Sequence, residues 1–193
     1  MKNNSLTYTT EDELIEKCIK RDANAQKALY IKFSAKLFAV SYRYSANKED
    51  AKDVLQESFI KIFDHIKTFK KTGTLESWLK RIVVNTALSR YKKTKSTLVD
   101  FTDQLNENEI IDPVDEEQIE GDLLNLSEHI IMTHIQNLPE EYRMVFNLAC
   151  IEELSHKEIA TLLSIKEETS RIRLLRARKK LMESLTSINV INR

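Results

Sequence analysis

The chain has 193 residues, 41% of them hydrophobic and 31% charged, so it can bury a core and fill one large or two small domains. It has only two glycines and two prolines, and because turns between strands favour these residues, the composition argues against a sheet protein and for long helices. Lys plus Arg and Asp plus Glu each total 30, so the net charge identifies no partner. The cysteines form no Cys-x-x-Cys pair, no apolar run could span a bilayer, and the N-terminus lacks an apolar signal core. We therefore expect a soluble, cytoplasmic protein.

Capping residues and apolar spacing predict four helices in the first half of the chain. We place their N-caps, in order, at Thr10, Asp22, Asn47 and Thr74. Behind each cap, apolar residues recur every three or four positions, which is the period of a helix with one buried face. The fourth helix is predicted to end near the basic run at 90–95.

The segment from residue 96 to about 124 differs from both of its flanks. All charged residues from Asp100 to Asp122 are acidic, and no helical period is sustained. Such a composition is typical of a linker extended by self-repulsion. We therefore predict an all-α protein whose two helical domains, at 1–95 and 127–187, are joined by an acidic flexible linker at 96–126.

Helical spacing resumes near Ser127, and Pro139 suits the first turn of the helix that follows. Ser155 and Glu158 have the spacing of a capping box, which predicts the start of a short helix. A turn around Ser164 then leads to the last helix. The short connection and the basic second helix together predict a helix-turn-helix.

The last predicted helix runs from about Glu167 to Leu185, and its charged residues from Arg171 to Lys180 are all basic. One face, Ser170, Leu174, Ala177 and Leu181, is predicted to be buried. The candidate DNA-binding residues on the other faces are Glu168, Arg171, Ile172, Leu175, Arg176 and Arg178. Arg can bind guanine with two hydrogen bonds, and apolar side chains can contact thymine methyl groups. A solvated basic helix is the alternative interpretation.

Three segments of the second half resemble the C-terminal domain of bacterial RNA polymerase sigma factors. They read LPEEYRMVF at 138–146, LSHKEIA at 154–160 and RIRLLRARKKL at 171–181. In that family the domain reads the minus-thirty-five element of promoters, and the resemblance implies this role for the DNA-binding residues above.

The chain departs from the family at three positions. It has Ser164 where the turn commonly has Gly, Lys166 where an N-cap Ser is common, and Ser170 where Val often packs. Its base preference therefore cannot be copied from a relative.

The first half carries a second resemblance to sigma factors. The sequence DVLQESFIKIF at 53–63 is similar to the segment that docks on the β′ clamp helices, and Trp78, Arg81 and Asn85 lie in a stretch similar to the one that handles the minus-ten element. The resemblance implies core polymerase binding by Asp53, Gln56, Glu57 and Ile60. It implies minus-ten DNA binding by Phe69, Trp78, Arg81, Asn85 and Lys92. From the residues alone, an ordinary solvated face is the favoured interpretation of the outer face of the third helix, and Trp78 is equally a core residue.

The two resemblances, in this order, identify the chain as similar to the extracytoplasmic-function group of sigma factors. They imply binding to core RNA polymerase through the β′ clamp helices and the β flap, promoter recognition, DNA melting and transcription initiation. They also imply a path for the acidic linker through a basic polymerase channel, and an anti-sigma protein as a candidate partner. The alternative is a helix-turn-helix one-component transcriptional regulator, which leaves the first set of motifs unexplained.

We expect no enzyme activity, no catalytic residues, no metal, no cofactor and no membrane insertion. The four histidines lack zinc-ligand spacing, and the two glycines form no phosphate-binding loop.

Overall fold

The computed structural model describes residues 10–97 and 128–191, and within these two ranges it contains helices and turns but no strand. The predicted all-α fold with two helical domains is confirmed. The chain divides into two compact units after Ala87. The predicted linker lies almost entirely outside the described residues, so the domain boundaries at 95, 96–126 and 127 stay predictions.

The first unit is built from α1 (Glu11–Ile19), α2 (Ala23–Tyr44), α3 (Lys48–His65), a short 3₁₀ turn (Ile66–Thr68) and the beginning of α4 (Leu75–Thr97). All four predicted N-caps are confirmed, since each side-chain oxygen accepts a hydrogen bond from the backbone N–H three residues later, at 2.8 to 3.1 Å. These bonds satisfy N–H groups that the helix itself leaves without partners.

The core of the first unit lies between facing apolar stripes. Leu29 and Leu37 of α2, Ile62 of α3 and Leu79 of α4 are fully buried. Burying one such side chain contributes roughly 1.5–3 kcal/mol. Because these stripes hold each helix at a fixed rotation about its axis, they also determine which residues point to solvent.

In its described residues, the second unit contains the end of α4 together with four further helices and one short π-helix. These are α5 (Glu128–Gln136), α6 (Glu140–Phe146), the π-helix (Asn147–Ile151), α7 (His156–Leu163) and α8 (Glu167–Ile191). Three features differ from the predictions. Pro139 has an extended backbone at the N-cap of α6 rather than a place in its first turn, α8 continues past Leu185, and the π-helix had no sequence signal.

The predicted helix-turn-helix is formed by α7 and α8. The capping box at the start of α7 is confirmed, with Ser155 and Glu158 each bonded to the other's backbone N–H. Helix α7 ends at Ser164, whose backbone is left-handed, with φ 57° and ψ 45°. The N–H of Ser164 donates to the carbonyl of Ala160. The left-handed backbone explains why glycine is common in this turn, because an L side chain is strained there.

Among residues 10–97 and 128–191, no helix is both long enough and apolar enough to cross a membrane. The same residues contain no group of His, Cys, Asp and Glu side chains arranged to hold a metal ion.

Candidate protein and nucleic-acid interfaces

The outward face of α3 carries the four residues predicted to bind core polymerase. Asp53, Gln56 and Ile60 are exposed, and 58% of the surface of Ile60 is accessible. Glu57 is half-buried, and its carboxylate lies 2.7 Å from the ammonium group of Lys61. The structure thus places an apolar side chain among polar ones on a face that the core of the first unit leaves uncovered.

Tyr30 of α2 was missing from the predicted set. It is 46% exposed, and the centroid of its ring lies 4.7 Å from that of Phe59 on α3. The ring of Phe59 lies 5.8 Å from that of half-exposed Phe63. Tyr30 and Phe63 thus both pack on the buried ring of Phe59, which places an exposed aromatic side chain of α2 next to α3. In the sequence Tyr30 follows buried Leu29 directly, so periodicity alone gave it no separate role.

A cavity of about 320 Å³ lies beside the start of α4. The rings of Phe69 and Trp78 line it, with centroids 5.6 Å apart and planes at 49° to each other. Its other lining residues are Thr68, Lys70, Thr72, Gly73, Thr74, Ser77 and Arg81. Trp78 is half-buried, so it is a wall of this cavity rather than a residue of the core. The cavity therefore offers two aromatic faces, hydroxyl groups and cations to a planar ligand.

The five predicted minus-ten residues do not all meet at this cavity. Phe69, Trp78 and Arg81 line it, whereas Asn85 and Lys92 are exposed about one and three turns farther along α4. From Trp78 to Lys92 the helix rises about 21 Å. The set is therefore an aromatic cavity continued by a polar flank along one helix.

On α8 the structure buries the predicted face and turns the predicted DNA-binding residues away from it. Ser170, Leu174, Ala177 and Leu181 are buried. Glu168 and Arg171 are exposed, and Ile172, Leu175, Arg176 and Arg178 are half-buried. A guanidinium nitrogen of Arg171 lies 2.5 Å from the carboxylate of Glu167, one turn earlier.

The comparisons with known proteins agree in both halves of the chain. The family described as Sigma-70 region 2 matches residues 29–97, and the family described as Sigma-70, region 4 matches residues 128–181. The ECF RNA polymerase sigma-E factor of Salmonella typhimurium is 32% identical over 183 residues, which cover 88% of this chain and 91% of that protein. The chain belongs to the extracytoplasmic-function family of RNA polymerase sigma factors.

Two other sigma factors are also similar to this chain, at lower sequence identity. The RNA polymerase sigma-H factor of Pseudomonas aeruginosa is 29% identical, with 93% of this chain and 96% of that protein covered. The structure of the sigma factor RpoE with the anti-sigma factor NepR from Bartonella quintana matches with a TM-score of 0.47 and 20% identity, and covers 84% of this chain and 96% of that chain. The regulator alternative is not supported, because the region 2 match accounts for the half of the chain that it leaves unexplained. The sigma factor acts in transcription initiation with RNA polymerase.

The basic run of α8 is not uniformly directed to solvent. Arg173 is 0% exposed, and one of its guanidinium nitrogens lies 3.3 Å from the carboxylate of Glu141 on α6. Arg173 is fully buried and Glu141 only partly, so removing the carboxylate weakens the compensation of a buried charge, which is destabilising. Nearby Arg143 donates to the backbone carbonyls of Gln136 and Leu138, at 2.7 and 3.2 Å. Part of the family's sequence signature in this domain therefore stabilises the fold of the second unit.

A polar contact between α7 and α8 was also missing from the predictions. A hydrogen bond of 2.9 Å joins Nδ1 of His156, the first residue of α7, to Oγ of Ser170 on α8. Burial of the ring and the charge of nearby Arg171 lower the pKa of His156 below its usual value. Ser170, which replaces the Val common in the family, thus has a partner for its buried hydroxyl group.

Proposed function

We propose a division of labour among three surfaces of this sigma factor. The outer face of α3 binds core RNA polymerase, the cavity between Phe69 and Trp78 holds an unstacked base of the minus-ten element, and the outward face of α8 reads the minus-thirty-five element. The protein carries out these steps in the cytoplasm and without catalysis of its own. The cavity is the observation that supports this proposal most directly, because two aromatic rings line it while remaining half exposed to solvent.

The docking surface on α3 is supported by the exposure of Ile60. Protein interfaces combine an apolar centre with a polar rim, and Ile60 among Asp53, Gln56 and Glu57 has that arrangement. Full burial of an isoleucine side chain contributes roughly 1.5–3 kcal/mol, so covering the exposed part of Ile60 contributes about 1–2 kcal/mol. The exposed ring of Tyr30 adds apolar area beside it.

The docking proposal is tested with Ile60→Asp and a matched control. Ile31 on α2 is 64% exposed and projects about 100° farther round its helix than Tyr30, so Ile31→Asp makes the same chemical change away from the surface. We expect Ile60→Asp to weaken competition for core polymerase at least tenfold and Ile31→Asp to leave it unchanged, with helix content preserved in both. Equal binding by the two variants would remove the assignment. Glu57→Lys is less informative, because the new lysine would lie one turn from Lys61, and repulsion between the two cations would itself destabilise α3.

Base capture in the cavity is supported by its chemistry. Extruding a base from a duplex costs a few kcal/mol, and stacking on an aromatic side chain returns about 1–3 kcal/mol per base. The hydroxyl groups of Thr72, Thr74 and Ser77 can bond the edge of a base, and the guanidinium of Arg81 can bind a phosphate.

Trp78 is the only tryptophan in the sequence, so its fluorescence in the free factor reports directly on this cavity. We expect a single-stranded minus-ten oligonucleotide to quench it, and one abasic substitution along the oligonucleotide to abolish most of the quenching. Phe69→Ala should weaken binding about 5- to 150-fold, the equivalent of one lost stacking contact. If the quenching is the same wherever the abasic site is placed in the oligonucleotide, no single base enters the cavity.

A further inference from the structure

We propose that His156 and Ser170 form a positioning pair, which fixes the rotation of α8 about its axis and thereby decides which side chains reach the bases of the minus-thirty-five element. The inference rests on the proposed role of α8 in reading that element. It adds a determinant of promoter preference that does not itself contact DNA.

The pair links the two helices of the helix-turn-helix close to the turn between them. His156 begins α7, and Ser170 lies in the first turns of α8, immediately before Arg171. Ser170 is 0% exposed, so its hydroxyl group has no access to water. The hydrogen bond of 2.9 Å to His156 is therefore costly to break, because breaking it leaves a buried polar group without a partner.

The buried part of α8 also includes Arg173, whose guanidinium ties α8 to Glu141 of α6, whereas the His156–Ser170 bond is a directional contact between α8 and α7. Leu174, Ala177 and Leu181 pack there, and the hydrophobic effect that holds them has no preferred direction. A hydrogen bond does have one, and it weakens steeply as its geometry departs from the optimum. A rotation of about 20° moves an outward side chain by about 2 Å on a helix whose radius with side chains is about 5–6 Å. Such a rotation displaces Arg171 from a base edge, and it also distorts the directional His156–Ser170 bond.

Charged neighbours keep the imidazole in the state that suits this bond. Burial of the ring and the positive charges of Arg171 and Arg178 lower the pKa of His156, while the carboxylate of Glu167 acts in the opposite direction. At a pH above about 6.5, the usual pKa of histidine, the ring is therefore neutral. A neutral imidazole can either accept a hydrogen bond from the hydroxyl group of Ser170 or donate one to its oxygen.

The test separates positioning from mere stability by exchanging the polar pair for an apolar one. His156→Phe leaves the buried hydroxyl of Ser170 without its partner, so this variant loses stability. Ser170→Val leaves the partly exposed ring of His156 without its partner, so its loss of stability is smaller. The double variant removes both polar groups, and we expect its stability to return close to the wild-type value. His156→Asn carries an amide near the position of Nδ1 and serves as the conservative rescue.

The measurement is a minus-thirty-five selection by holoenzyme from a randomised promoter library, beside urea denaturation of each full-length variant. We expect the double variant to fold stably and yet to prefer a different sequence. In the selection, the enrichment of the sequence that wild type prefers, relative to its single-base variants, should fall at least threefold. His156→Asn should keep the wild-type preference. An unchanged preference in the double variant overturns the inference, and so does an equally altered preference in His156→Asn. If wild-type holoenzyme selects no minus-thirty-five sequence at all, the proposed role of α8 fails instead.

Discussion

The left-handed serine in the turn between α7 and α8 allows a quantitative prediction. Ser164 has φ 57° and ψ 45°, and its side chain is exposed, so a substitution there removes no packing. For an L-residue this conformation costs roughly 1–2 kcal/mol, a cost that glycine does not have. Glycine also gains freedom in the unfolded chain, which offsets about 0.4–1 kcal/mol. Ser164→Gly should therefore stabilise the helix-turn-helix by about 0.5–1 kcal/mol.

Amide hydrogen exchange in the full-length protein measures this change locally. A gain of about 0.5–1 kcal/mol slows exchange of the protected amides in α7 and α8 about two- to fivefold. Amides of α2 and α3, which belong to the first unit, should exchange at the wild-type rate. Ser164→Ala is the matched control, because it removes the hydroxyl group and keeps the strained backbone.

The reasoning fails if Ser164→Gly and Ser164→Ala exchange alike. That result would mean that the free energy of the left-handed turn is not set by the side chain at this position. A slowing in both units would point instead to a change outside the turn.

Three further predictions concern single side chains. Arg171→Ala should change which minus-thirty-five sequences are preferred, while Arg178→Ala should weaken binding to all of them and reduce the slope of log affinity against log salt concentration by about one. A binding-site selection at two salt concentrations measures both effects, and identical preferences for wild type and Arg171→Ala would show that Arg171 does not contact the bases. Ser155→Ala removes half of the capping box of α7 and should lower the free energy of unfolding of that helix by about 1 kcal/mol, which speeds up its amide exchange. An unchanged exchange rate would show that the cap does not stabilise α7. Cys18 is buried, and burial raises its pKa to about 11, so iodoacetamide at pH 8 should label exposed Cys150 first and Cys18 only in urea. Mass spectrometry follows the two alkylation rates, and equal rates in the folded protein would contradict the burial of Cys18.

The starts of the helices could be predicted because the information is local. A cap needs only a side-chain oxygen three residues before a backbone N–H, as at Asp22 and Asn47, and both lie within one short stretch of sequence. The buried face of α8 followed from periodicity for the same reason, since it depends on the spacing within one helix.

What the sequence left open depends on groups that are distant in the chain. Whether Trp78 is a core residue or the wall of a cavity depends on the position of Phe69 in the preceding loop. Whether Arg173 contacts DNA or stabilises the fold depends on Glu141, on another helix. The partner of Ser170 lies 14 residues earlier, across the turn. Periodicity indicates on which face of its own helix a side chain lies, but it does not indicate which residues of other segments contact that side chain.

The ion pair on the outer face of α8 has a consequence for how DNA is read. In the free protein the guanidinium of Arg171 is paired with the carboxylate of Glu167. Under the proposed role of Arg171 in reading the minus-thirty-five element, a guanine would have to displace this carboxylate. An exposed pair of this kind contributes at most about 1 kcal/mol, which the two hydrogen bonds of a correct base can exceed. A wrong base offers less and leaves Arg171 with Glu167. Under that proposal, the carboxylate of Glu167 sets a minimum binding free energy that a base has to exceed before Arg171 leaves it.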